Sequence, residues 1–311
     1  MLNELTKLRN KHTWLKRNSL FLYKSPKHYE KLLPNYNFDG KGDKEYLDSW
    51  LNMNHPNIGN VLELMCGSGR MTQVLNKYAN DIVGVDKSSQ MLKVAMGRFK
   101  NAHNIHFVSS DVDTYIDKII KTAEISTFDS IVSFWGINYW LHNGFLRFDH
   151  HGKLIQALTP GEIEIAEKLA IAKLKRLLEN AKSGSRFVFF HVRSDTEEQS
   201  IHRKYWGKMN SIFAPPLKTP SQIVIEKVLS ELYKDGKLTY EIKYVNGSVK
   251  FYNLEMALEI FMNFHSKGYF NDRPECIDLL KEFTKDLSIH KLPNGEIELG
   301  AGFLLMDILR K

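Results

Sequence analysis

"VLELMCGSGRM", Val61 to Met71, decides the fold: an aliphatic run ends abruptly in Gly67-Ser68-Gly69. Glycine tolerates backbone geometry that other residues avoid, and it lets a neighbouring group approach to contact distance. Two glycines two apart, where a strand hands over to a helix, mark a corner against which something presses. Glu63 lies inside the same run, and an acid there is costly to bury unless a partner needs it.

Outward from this corner, short β-branched runs alternate with helical patterns. Val61–Leu64 precedes a helix near 70–79. Ile82–Asp86 precedes a helix near 88–99 with Met91, Leu92, Ala95 and Met96 on one face. Ile105–Val108 leads into "DVDTYIDKIIKTAE", and "FDSIVSFW" makes a fourth strand. Residues 161–182 read as a long helix with Ile165, Leu169, Ala172 and Leu177 at helical spacing, and "SRFVFFHV" as a fifth strand. Apolar strands separated by helices imply a parallel sheet covered on both faces.

Two Asn-Gly pairs signal hairpins. Asn294-Gly295, in "LSIHKLPNGEIELGAGFLLMDIL", turns the final strand antiparallel to its neighbour. Asn246-Gly247, in "LTYEIKYVNGSVKFYN", places a second hairpin beside a helix near 221–234. The expected fold is therefore an α/β, Rossmann-like, doubly wound sheet of seven mainly parallel strands with an antiparallel last strand. Residues 1–57 are expected to form an N-terminal helical lid, 58–311 the core, and 216–270 an inserted helix–hairpin cap.

The totals narrow the class. Hydrophobic residues at 43% and aromatics at 12% of 311 residues support a substantial core and exclude a disordered chain. Two cysteines, Cys66 and Cys276, make no disulfide framework and no zinc-knuckle spacing, so a reducing, cytoplasmic setting is expected. No apolar stretch reaches the roughly 18 residues of a spanning helix, the start lacks a hydrophobic signal core, and no membrane partner is expected. The net charge of +7, concentrated partly in "LTKLRNKHTWLKRNSLFLYKSPKHYEK", fits an anionic partner or a solvated lysine-rich face.

Parallel sheets bind ligands at the carboxyl ends of their strands. Asp86 ends the second strand, where a carboxylate can accept from both hydroxyls of a ribose. Asp111 follows the third strand, beside the expected position of a purine. A nicotinamide dinucleotide shares the ribose carboxylate but wants Gly-x-Gly-x-x-Gly, and Thr72 stands at the third glycine position. Glu63 would repel a pyrophosphate and suits a cationic cofactor. S-adenosylmethionine, with its sulfonium and ammonium, meets that condition.

"VLELMCGSGRMTQVL", "IVGVDKSSQMLKVA", "VSSDV" and "FDSIVSFWGINYW" resemble the successive cofactor motifs of the class I S-adenosylmethionine-dependent methyltransferases, above all the small-molecule type. The resemblance runs from about 58 to 193. It implies that Glu63, Gly67 and Gly69 surround the methionine part and that Asp86, with Lys87 beside it, holds the ribose. Met91 would pack on the adenine, and Asp111 and the Val112 amide would recognise it. Phe134 to Tyr139 would border the transferring methyl. "LYKSPKHYEKLLP" is similar to the segment that precedes the first motif, and places Tyr29, with Tyr23, near the cofactor carboxylate. Met65 departs from the pattern, which has glycine there; Cys66 reads as a small turn residue.

The resemblance implies an enzyme that moves a methyl group from S-adenosyl-L-methionine, leaving S-adenosyl-L-homocysteine. A general base is required only for an acceptor that binds protonated. Tyr139 and His191 are the catalytic candidates, ahead of His142, His150 and His151. No Asn/Asp-Pro-Pro-Tyr follows strand four, no Pro-Cys pair is present, and no metal is expected. Aromatics abound instead: Trp135, Tyr139 and Trp140, then Tyr205, Trp206, Tyr244, Phe251 and Tyr252. The expected acceptor is an N or O atom of a small metabolite or natural-product-like molecule. RNA or peptide methylation, and a catalytically silent cofactor-binding subunit, are the alternatives, in a monomer or homodimer.

Overall fold

A computed structural model describes residues 30, 33–142, 145, 147–148, 154–156, 158–209, 218–261 and 277–311. Ten strands are described: β1 (Tyr36–Asn37), β2 (Gly59–Leu64), β3 (Ala79–Asp86), β4 (Ile105–Ser109), β5 (Ser130–Phe134), β6 (Arg147–Phe148), β7 (Leu154–Gln156), β8 (Arg186–Val192), β9 (Leu238–Phe251) and β10 (Ile297–Arg310). Eight form one sheet in the order β1-β9-β10-β8-β5-β2-β3-β4; β6 and β7 pair separately. From β4 across to β8 all pairs are parallel, whereas β10 runs antiparallel to both β8 and β9. The reversed last strand is as expected, and β1 adds a two-residue eighth strand at the edge.

Successive strand residues feed opposite layers, as the pleat requires. Leu62, Leu64, Ile131, Phe187 and Phe189 pack beneath α4 (Val112–Lys121), α5 (Ile137–His142), α6 (Pro160–Asn180) and α8 (Pro220–Lys234). Val61, Val132, Val188 and Phe190 pack with α1 (Asp43–Asn54) and α2 (Thr72–Leu75), and α3 (Ser89–Arg98) follows β3. Pro160 in the first turn and a reciprocal Thr159–Glu162 capping box start α6. Its core face is Ala166, Ala170, Leu174, Leu177 and Leu178, so the expected apolar stripe is displaced: Ile165 and Leu169 are more than half exposed.

The N-terminal lid lies mostly outside the described residues, Tyr23 and Tyr29 included. Its described remainder is no separate lid, because Tyr46, Leu47 and Leu51 of α1 are buried in the sheet's own core. The cap at 216–270 is corrected as well. Helix α8 belongs to the main helical layer and β9 is the sixth long strand of the sheet.

Asn246-Gly247 makes no hairpin. β9 runs through it without a break, with Asn246 opposite Gly302 and Gly247 opposite Ala301. Glycine is required there for close approach: a Cβ on Gly247 would lie 2.3 Å from the Asn37 carbonyl oxygen and 2.4 Å from Phe38. The pair at Asn294-Gly295 does turn the chain, between α10 (Ile277–Ile289) and β10, closing a single bridge from Lys291 to Ile297.

Gly247→Ala should therefore push β1 off the sheet and cost roughly 1–3 kcal/mol. Gly161→Ala, where a Cβ meets nothing within 4 Å, should stay within about 0.5 kcal/mol. Denaturant midpoints of the two variants check the contrast.

A cap does exist, built from the end of that segment together with residues outside it. β9 and β10 are 14 residues each against 7 in β8, and their far ends overhang the sheet. Val249, Phe251, Ile297 and Leu299 on that overhang form a second core with α7 (Glu197–Met209), α9 (Leu254–Ile260) and α10.

Candidate functional site

The carboxyl ends of β2, β3 and β5 meet at the glycine corner. Gly67 and Gly69 have φ of +55° and +73°, the left-handed region that favours glycine. Met65 and Trp135, which follow β2 and β5, share that region at +58° and +63°. For a non-glycine residue this is strained backbone, held where packing over-determines it. The packing is visible: a Cβ on Gly136 would fall 2.6 Å from the Met65 Cβ. Met65 thus takes the backbone conformation of the glycine it replaces.

Asp86 organises the corner. Its carboxylate accepts from the Gly67 amide at 2.9 Å and from the Ser88 amide at 2.8 Å. A carboxylate has about four acceptor positions, so two remain for further donors. Lys87 beside it is exposed. Met91, the third residue of α3, is 3% exposed, and its amide donates to the Ser88 hydroxyl that caps the helix. Asp111 caps α4, accepting from the Asp113 amide at 2.9 Å, and Val112 is buried behind it. Phe134 is buried edge-on to Phe190.

Glu63 is 2% exposed and accepts from the Thr72 hydroxyl. Burial, with a smaller contribution from Asp86, pushes its pKa up to about 8. Cys66 is buried too, and its thiol is raised well above the usual range, by burial first and then by Glu63 and Asp86; it is no nucleophile.

The catalytic candidates separate. Tyr139, 38% exposed on α5, lies close enough to Tyr36 to help raise its pKa. His191 is fully buried, with Nδ1 2.7 Å from the Val192 carbonyl and Nε2 2.9 Å from the Ser221 hydroxyl. The carbonyl requires Nδ1–H, and burial lowers the pKa to about 4, which keeps the ring neutral near pH 7 with Nε2 free to accept from Ser221. Both nitrogens are engaged within the fold. His191 joins β8 to α8 and does not open onto the site. His150 and His151 lie outside the described residues.

Other residues complete the site. Tyr36, on β1, gives its hydroxyl hydrogen to Glu198, a carboxylate 2% exposed in the first turn of α7. The Tyr36 ring lies 6.4 Å from Trp135 and 5.9 Å from Phe38. Trp135 Nε1 donates to Asp43 at 2.8 Å, and Arg70 of the glycine loop closes on the same carboxylate. Glu30, the neighbour of Tyr29, accepts from Ser68 and from Arg98, both at 2.6 Å. Burial opposes ionisation of Glu30, but those two bonds outweigh it and hold the pKa below the ordinary value. Tyr36 and Glu198 stand 162 positions apart, and no local pattern announces such a pair.

Residues 61–148 match the model of a methyltransferase domain family. The matched stretch runs from β2 to β6 and holds the glycine corner. No curated protein matches the chain. Among solved structures, the YcgJ protein of Bacillus subtilis shares 13% identity over 86% of this chain and 98% of its own, at a TM-score of 0.47. The plantazolicin methyltransferase BamL, solved with a triazolic desmethylPZN analog and SAH, shares 13% over 86% and 82%, at 0.40. BpumL, solved with SAH, shares 12% over 100% and 98%, at 0.40. None of these likenesses bears on the acceptor.

The corner fits S-adenosylmethionine. A Cβ on Gly67 would meet nothing within 4 Å, which leaves open space against the backbone. Ser133 Oγ on β5 and Asn138 Oδ1 on α5 are buried without a hydrogen-bond partner among the described residues. Among those residues no three His, Cys, Asp or Glu side chains converge on a metal position, and no helix is long and apolar enough to cross a membrane.

Proposed function

We propose that the chain methylates an N or O atom of a small metabolite or natural-product-like molecule in the cytoplasm. One observation carries the reading. The rings of Trp135, Tyr36 and Phe38 form a wall at the carboxyl end of β5, where the overhanging cap rises from the same sheet. A ringed corner under a cap excludes water and suits a compact acceptor.

When bound, S-adenosylmethionine supplies a methyl group made electrophilic by its sulfonium. The protein contributes position. Gly67 and Gly69 admit the methionine part, Asp86 accepts from the ribose with Lys87 beside it, and Asp111, Val112 and Met91 hold the adenine. Glu63 favours the cationic end. Phe134 and Trp135 wall the methyl from water, and Tyr139 orients the acceptor atom. His191 takes no part.

Incubation with methyl-labelled S-adenosylmethionine and separated pools of cellular metabolites and RNA tests this. Label should enter the small-molecule pool and be lost on Trp135→Ala. Label confined to RNA would establish the alternative that the +7 charge favours. Cofactor bound with no transfer to any pool would mark a silent subunit.

A further inference from the structure

A groove of about 830 Å³ opens beside the glycine loop. Arg70, Arg98 and Lys44 of α1 border it on one side; Tyr36 of β1 and Tyr252 and Lys250 from the overhang also line it. It is joined to the methyl-transfer corner twice. Arg70 shares Asp43 with Trp135, and Tyr36 packs on the Trp135 ring.

The charges along the groove are unequal: five cationic side chains line it against three acidic ones. Three cations are already matched, Arg70 by Asp43, Arg98 by Glu30 and Lys250 by Glu298. Lys44 is different. Its ammonium donates to the Gln73 side-chain oxygen at 2.8 Å, and among the described residues no carboxylate lies within the 4 Å of an ion pair. It stands in the first turn of α1, the end of a helix that disfavours a cation. Burial first, and then Arg70 and Arg98, press its pKa below the usual value, with Glu45 and Asp43 opposing. An ammonium kept half-buried beside two guanidiniums is a costly arrangement that an incoming anion would relieve.

We propose that this groove receives the acceptor by an oxyanion, a carboxylate or a phosphate ester, seated on Lys44, with the acceptor's organic part between Tyr36 and Tyr252. The proposal rests on the small-molecule reading above and adds the chemical class of the substrate. Lys44 and the two guanidiniums set a positive potential at the groove, and the aromatic side chains give an apolar flank. The oxyanion end fixes which atom of the acceptor faces Trp135.

The test uses the full chain with S-adenosylhomocysteine bound and three probes: benzoate, phenyl phosphate and the neutral benzyl alcohol. Calorimetry should show at least one anion binding about tenfold more tightly than the alcohol, the worth of one charge-assisted hydrogen bond. Lys44→Gln should erase that preference and leave the affinity for S-adenosylhomocysteine unchanged. The tighter anion tells carboxylate from phosphate. Equal affinities for all three probes, no anion binding at about 10 mM, or an undiminished preference in Lys44→Gln would overturn the proposal alone. Failure of S-adenosylhomocysteine to bind at all would overturn the cofactor reading beneath it, and the proposal with it.

Discussion

Asp86→Ala is expected to weaken S-adenosylmethionine binding by about 2–4 kcal/mol, through loss of two charge-assisted hydrogen bonds to the ribose and of the anchor for the loop. The second part follows from the geometry. The carboxylate that would meet the ribose also accepts from the Gly67 and Ser88 amides, so its removal leaves the end of β3 and the glycine loop untied. Asp86→Asn keeps one acceptor oxygen and should fall between wild type and alanine. Calorimetry on the folded variants measures both. A dissociation constant unchanged in Asp86→Ala would remove Asp86 from the cofactor site.

Glu63 should make the cofactor-free protein lose stability as the pH rises. Its folded pKa of about 8 lies far above the value of 4.5 for an exposed glutamate. Between those two values the folded state therefore binds more protons than the unfolded state. Stability then falls with rising pH, fully retained below about pH 4.5 and lost progressively toward pH 8. The shift corresponds to roughly 3–5 kcal/mol across the window. Glu63→Gln keeps the oxygen that accepts from Thr72 and has no proton to lose, so its profile should lack this component. Urea denaturation of both proteins at pH 5 and pH 8 gives the comparison. Equal losses in both would show that Glu63 is ionised in the folded protein. A cation placed beside Glu63 would pull the value back down, which is why a buried acid suits this corner.

The sheet was legible in the sequence because each inner strand is short, apolar and bounded by helical patterns. The glycine corner was legible because Gly67 and Gly69 mark it in one place. Asn246-Gly247 misled for a physical reason. Glycine serves positive φ in a turn and close packing in a strand with the same letter, and Gly247 is of the second kind, making room for Asn37 and Phe38. Ile165 and Leu169 read as a buried stripe because helical spacing reports a face and not what covers it. His191 looked catalytic from its place at a strand's end, but the pleat turns it toward Ser221 and α8. The contact of Tyr36 with Glu198, and that of Asp43 with Arg70 and Trp135, arise only when distant segments meet.

The two long strands have a mechanical consequence. Because β9 and β10 pass from the core sheet into the cap as one ladder, from Leu238 opposite Arg310 to Phe251 opposite Ile297, the cap is cantilevered from the sheet. Along these two strands no loop separates the cap from the sheet. Gly247, Gly300 and Gly302 lie close together on the two strands where the ladder leaves the sheet. With no side chains there, the ribbon admits Phe38 against Gly247 and Arg193 against Gly302. The cap and the core sheet thus share one hydrogen-bonded ladder, so the position of the cap over the site is set by the register of these two strands.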